Sequence, residues 1–209
     1  MKLETIYNEL VDIMKNEMDF TKALKLKERL EQAIREETSY KSSSKTRVNA
    51  IKRVASKLEC RPALTGYGIC EDYKCVTDSY HAIMIHEDNL PLKLVTTDRE
   101  LADKVGHDNC INANYPNFSH FINFNKDNYN ISNLDYNDIE QFYKLHKKNA
   151  EEELYEIKGN YYNIKFLKNI IDVLGTNTTL YVPRDNQYIP LYVVNDKNEI
   201  GLVLPVKKY

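Results

Sequence analysis

The stretch "RPALTGYGICEDYKCVTDSYHAI", residues 61–83, decides how this chain reads. Its β-rich runs "ALTGYGIC", "YKCVT" and "YHAIMI" are joined by the acidic turn "EDY", which predicts a hairpin or meander. The residues before it are helical in pattern. Over residues 46–58, Val48, Ile51, Ala55 and Leu58 fall on one side while Lys52, Arg53 and Lys57 fall on the other with no acid between them. Cys70 and Cys75 are predicted to alternate faces across the turn, and no His pair nearby completes a tetrahedral zinc site, so buried thiols are the expectation. Asp78 follows Thr77 with no base or nucleophile fixed beside it by spacing. A side-chain turn at the strand end is therefore expected there, and no catalytic residue is assigned.

The same order returns near the other end. Asn163 is placed to cap a helix with the stripe Ile164, Leu167, Ile171 and Leu174, ended by Gly175, and the strands "TTLYVP", "YIPLYVV" and "IGLVLPV" follow. Helix plus three strands thus occurs twice, over residues 46–85 and 163–206, which suggests duplicated half-modules. Between them, "NDIEQFYKLHKKNAEEE" reads as a helix with Asn137 and Glu140 in a capping box, and "ELYEIKG" as a strand. Residues 86–135 are polar and Asn-rich, and predict loops with short strands. Ahead of all this, stripes from Leu3 to Met18 and from Leu24 to Ile34 predict two antiparallel helices, with "KSSSK" at 41–45 as a linker.

Composition bounds the function. The chain has 209 residues, 42% hydrophobic and 29% charged, enough for a core and unlike a disordered tail. Its 29 basic and 31 acidic residues cancel, so any nucleic-acid surface must come from local segregation of charge. The amphipathic, acidic start "MKLETIYNELVDIM" and the absence of an apolar run of about 18 residues predict a cytoplasmic protein with no membrane partner. Cysteines at 60, 70, 75 and 110 are irregularly spaced, as reduced thiols are. The five histidines form no metal or catalytic spacing, and "TGYGIC" lacks the Lys-Ser/Thr of a phosphate loop, so neither metal nor cofactor is expected.

On these residues the chain resembles a family. A helix running into "RPALTGYGI" and then "YKCVTDSYHAI" resembles the opening half of a domain of the bacterial DNA polymerase III beta sliding clamp. "YNIKFLKNIIDVLG" with the terminal "LVLPVKKY" resembles the closing half of that family's last domain. "NEMDFTKALKLKERLEQA" is similar to the UVR helical hairpin of excision-repair proteins. The fold expected is α+β, with an N-terminal helical hairpin over residues 1–40 and one sliding-clamp-like module of repeated helix plus three-strand units over 45–209. Family chains carry three such domains; this one has room for about one.

The clamp resemblance implies a surface and a role. Helices in that fold present cations to DNA phosphates, which assigns Arg47, Lys52, Arg53, Lys57, Lys165 and Lys168 to double-stranded DNA. Leu204, Pro205 and Val206 match the apolar-Pro-apolar tail that helps form the family's peptide groove, and so are assigned to a protein partner. The implied function is a non-enzymatic, clamp-like protein, phage or mobile-element encoded, that binds DNA or replication-type proteins and forms a homodimer or higher oligomer. The alternative from another class is a phage-encoded, anti-CRISPR-like inhibitor of a host defence nuclease, acting by protein–protein binding.

Overall fold

The computed structural model describes residues 45–58, 60–87, 90–146, 154–185 and 189–207, and residues from Arg47 onward form one compact unit. The helical hairpin expected over residues 1–40 lies outside the described residues. The unit is mixed α/β, with five helices and a seven-stranded antiparallel sheet among the described residues.

Helix α1 covers residues 45–54 and is followed by β1 (Gly68–Cys70), β2 (Tyr73–Thr77) and β3 (His81–Ile85). Next come β4 (Leu94–Val95), α2 (Arg99–Val105), β5 (Cys110–Ile111), α3 (Ser119–Ile122), β6 (Tyr129–Ile131) and α4 (Tyr136–His146). The hairpin β7 (Leu154–Ile157) and β8 (Asn160–Asn163) leads into α5 (Ile164–Leu174), then β9 (Thr178–Pro183), β10 (Leu191–Asn195) and β11 (Ile200–Val203). The sheet order is β1-β2-β3-β11-β10-β9-β6. Two three-stranded sets therefore join at the middle through their last strands, with Ile200 opposite Met84 and Val203 opposite His81.

Alternation along the strands sends side chains to two different layers. Val76, Ile83, Ile85, Leu180, Val182, Leu191, Val193 and Val203 face α1, α4 and α5 in the main core. Cys75, Ala82, Met84, Tyr192, Ile200 and Leu202 face the other way and are covered by Tyr115, Phe118, Phe121, Phe124 and Tyr129. Residues 86–135 thus do more than the loops expected of them. They supply the aromatic lid of the second face, with Phe124 stacked on Tyr192 at 3.9 Å and 5° and Tyr115 lying where a Cβ on Gly68 would stand.

Several expectations are corrected. Helix α1 ends at residue 54, because Ser56 turns the chain by accepting from Leu58 N with its hydroxyl and donating its own N–H to Leu64 O at 2.9 Å. Its buried face is Ala50, Ile51, Val54 and Ala55, and Leu58 is 57% exposed instead of joining the stripe. Cys70 and Cys75 lie on the same face, since two-residue spacing on each strand brings both to the aromatic layer. Burial pushes the Cys75 thiol up to about 12. The capping box of α4 is Asp135 with Asp138, each carboxylate accepting from the other's backbone N–H, and Glu140 is released for another task.

The cap of α5 matches its expectation: Asn163 Oδ1 accepts from Lys165 N and Phe166 N, and Gly175 follows with φ +89°. Helix α5 then comes so close to β11 that a Cβ at Gly201 would stand 2.2 Å from Ile170 Cγ2.

Candidate functional site

The two helices assigned to a binding face lie side by side over the sheet, tied to each other by Arg47 and Arg53, while Lys168 ties α5 to α4. Arg53 of α1 donates from Nε to Asn169 Oδ1 and from Nη2 to Asp172 Oδ2 of α5, both at 2.8 Å. Arg47 donates from Nη1 to Val173 O at 2.6 Å and from Nη2 to Glu199 Oε1 at 2.8 Å. Lys168 pairs with Asp172 and, at 2.9 Å, with Glu140 Oε2 of α4, and its ammonium lies 5.9 and 5.8 Å from the ring centroids of Tyr136 and Tyr143.

These pairs set the local titration. Burial alone would raise the Glu199 carboxyl, but the Arg47 guanidinium, Asn195 and the His86 N–H outweigh it and hold the group below the usual carboxylate range. Glu140 is likewise lowered, its desolvation outweighed by Lys168 and then Lys144. Arg47, Arg53 and Lys168 are thus engaged in pairs within the protein, whereas the clamp resemblance assigned all six cations to DNA.

Lys52 and Lys57 remain outward, exposed and without an ion pair among the described residues. Lys57 also borders a cleft of about 330 Å³ between the end of α1, the turn after β2 and the start of α5. Arg53, Lys57 and Lys165 contribute its cations, and Leu58, Tyr80 and Phe166 its apolar surface. Residues more than 100 positions apart in sequence are brought together there, and no spacing in the sequence joins them.

The turn itself joins β2 to β3. Thr77 Oγ1 donates to His81 O at 2.8 Å and accepts from Ser79 N, while Asp78 Oδ1 accepts from Tyr80 N, His81 N and His81 Nδ1 at 2.8, 3.0 and 2.9 Å. Ser79 sits at φ +85°, a conformation these bonds enforce. Burial would raise the Asp78 carboxyl, but the imidazole and the turn's N–H groups outweigh it, so the acid is held ionised below its ordinary value.

The Asp78–His81 pair has the outline of an acid–base dyad, yet its geometry serves position. Asn169 Oδ1 accepts from Arg53, which leaves Asn169 Nδ2 facing His81 Nε2 at 3.4 Å and assigns the ring N–H to Nδ1, donating to Asp78. Both imidazole nitrogens are occupied, the ring is 1% exposed, and Phe166 stacks on it at 4.3 Å. No lone pair is presented to a substrate, and the chain Arg53–Asn169–His81–Asp78 fixes the cleft's floor.

The tail residues occupy a different layer. Leu204 donates its N–H to Tyr80 O at 2.9 Å while its side chain packs with the aromatic face of the sheet, and Val206 N–H reaches Tyr161 O at 2.7 Å. Leu204, Pro205 and Val206 are all half-buried, so the tail braces the backbone of Tyr80 from behind. Among the described residues no group of three His, Cys, Asp or Glu side chains could hold a metal ion, and no helix is long and apolar enough to cross a membrane. The chain matches no protein-family model, no curated protein and no solved structure.

Proposed function

We propose that the protein is a non-enzymatic, clamp-like binding module that contacts duplex DNA through the outward edge of its paired helices. The observation that carries this reading is the arrangement of α1 and α5, tied side by side by Arg53 across one face of an antiparallel sheet, with Lys52 and Lys57 left facing solvent and Lys165 nearby. The meeting of β1–β3 and β9–β11 at the β3–β11 seam, each set preceded in the chain by one of the two helices, supports this reading. Contacts of this kind go to phosphates and are independent of sequence.

The test is duplex binding by fluorescence anisotropy at 50 and 200 mM salt, with molar mass from light scattering. About three phosphate contacts give a roughly 40-fold loss of affinity between those salts. The charge-reversed pair Lys52→Glu and Lys57→Glu is expected to abolish it. A clamp that encloses DNA also predicts a dimer or larger ring. Absence of binding at 50 mM salt sinks the reading.

The second reading, a phage-encoded inhibitor of a host nuclease, has one observation in its favour. Leu58 and Tyr80 expose apolar surface beside the cations, where a purely phosphate-binding face has no use for it. Pull-down with the Lys52→Glu variant separates the two, since Lys52 lies outside the cleft and an inhibitor that buries Leu58 and Tyr80 keeps its partner.

A further inference from the structure

We infer that the cleft between the end of α1, the Thr77–Tyr80 turn and the start of α5 docks an acidic peptide segment carrying one bulky apolar side chain. The reading goes beyond duplex binding, because it depends on Tyr80 and Leu58, to which a phosphate backbone is indifferent.

Among the described residues the large exposed apolar side chains are Leu58, Ile69, Tyr80, Val105, Ile131 and Leu145. Two of them, Leu58 at 57% and Tyr80 at 59% exposure, line the same cleft, and Phe166 lies between helix and turn beneath Tyr80, the rings stacked at 6.1 Å and 14°. At about 330 Å³ the space is at the lower end of ligand pockets, which run from about 300 to 1,000 Å³, and has room for a bulky apolar side chain.

The rim decides the charge of the guest. Lys57 and Lys165 line the cleft beside Arg53, whose guanidinium is already shared with Asn169 and Asp172, and Arg61 joins them by donating to Ser79 Oγ at 3.4 Å on the turn. The acid within, Asp78, already gives one oxygen to three donors of its own turn and ring. A guest with carboxylates flanking an apolar anchor satisfies both features, the anchor supplying affinity and the flanks orientation.

Single-stranded nucleic acid fits less well. Stacking platforms offer aromatic faces to successive bases, whereas here one aromatic ring is exposed, the opposite rim is the aliphatic Leu58, and the cations ring the cleft instead of tracking a strand. The site is also built to hold still. His81 is locked between Asp78 and Asn169, Phe166 stacks on it, and Leu204 N–H pins the Tyr80 carbonyl, so the anchor meets a preformed wall.

The test uses the full chain and fluorescein-labelled dodecapeptides with Asp and Glu flanks around a central Leu, Phe or Ala, a Lys-flanked Phe peptide, and a labelled dT12 oligonucleotide. The expected result is that Leu- or Phe-centred acidic peptides bind at least tenfold more tightly than the Ala-centred and Lys-flanked controls. Tyr80→Ser and Leu58→Ser should each weaken that binding at least tenfold. Both side chains are more than half exposed, so melting temperatures should hold and show that the variants fold.

Equal binding of the Ala-centred peptide, equal binding of the Lys-flanked one, no peptide binding, or unchanged affinity in both variants overturns the proposal. So does preferential binding of dT12 that Tyr80→Ser abolishes, which would make the cleft a base-stacking site. Failure here is separable from failure of the duplex reading: Lys52→Glu lies outside the cleft and should weaken duplex binding alone, while Tyr80→Ser should leave it unchanged.

Discussion

Replacing Arg47 with Ala is expected to cost stability and not merely a phosphate contact. Arg47 is 23% exposed and Glu199 3%, and the pair ties α1 to the turn before β11, with a second bond to the Val173 carbonyl at the end of α5. Removing one partner of a buried pair costs about 3–5 kcal/mol because the other charge is left without compensation. Glu199 would keep Asn195 Nδ2 at 2.8 Å and His86 N at 3.2 Å, so the lower figure, about 3 kcal/mol, applies.

For a chain of this length that is a fall in Tm of about 6–12 °C. The pH dependence carries the diagnosis. In the native protein Glu199 titrates below its unfolded value, so its contribution is present above about pH 4 and is lost as pH falls through the folded value. In Arg47→Ala burial dominates and the folded value rises above the unfolded one, so that variant recovers stability as pH falls. The deficit against wild type should therefore narrow between pH 7 and pH 4. Thermal melts followed by circular dichroism measure it, and a deficit below about 1 kcal/mol, or one that does not change with pH, refutes the tether.

The other predictions concern separate parts of the molecule. Gly201→Ala should destabilise by about 1–3 kcal/mol, read from a urea midpoint, because the new methyl would stand 2.2 Å from Ile170 Cγ2. Asp78, Glu140 and Glu199 are all lowered, so wild-type stability should decline as pH drops below about 4, and Asp78→Asn with Glu199→Gln should flatten that decline in acid melts. Arg53→Ala should weaken duplex binding less than Lys52→Glu does, since its guanidinium is already held by Asn169 and Asp172.

What was legible in the sequence were the elements whose signal is local. Asn163, the stripe from Ile164 to Leu174 and Gly175 specify α5 by cap, periodicity and stop, and "TTLYVP" is β9 residue for residue. The hairpin of β1 and β2 follows from "ICEDYKC", though not the face of its cysteines, because register depends on which residues pair across the turn. The aromatic lid was hidden. Tyr115, Phe118, Phe121 and Phe124 recur every third residue across a loop and the short helix α3, and only the sheet they cover gives them a common direction.

The site shows the same division. Lys52, Arg53 and Lys57 announced a basic helix face, but sequence spacing cannot say that Asp172 and Asn169, more than 110 residues away, answer Arg53. Leu58 fell in phase with the apolar stripe and left it because Ser56 ended the helix. Tyr80 stood in the quoted stretch from the start, and nothing local distinguished it from a strand residue until Phe166 was found beneath it.

The aromatic lid has an optical consequence. The chain has 16 tyrosines and no tryptophan, and Tyr129 lies edge-on to Phe124 and to Tyr192 at 5.4 Å from each. Rings fixed in asymmetric contact give near-ultraviolet dichroism, and tyrosine emission is not swamped by indole in this protein. Loosening of the aromatic packing on both faces of the sheet can therefore be followed without a label and compared with far-ultraviolet loss of helix.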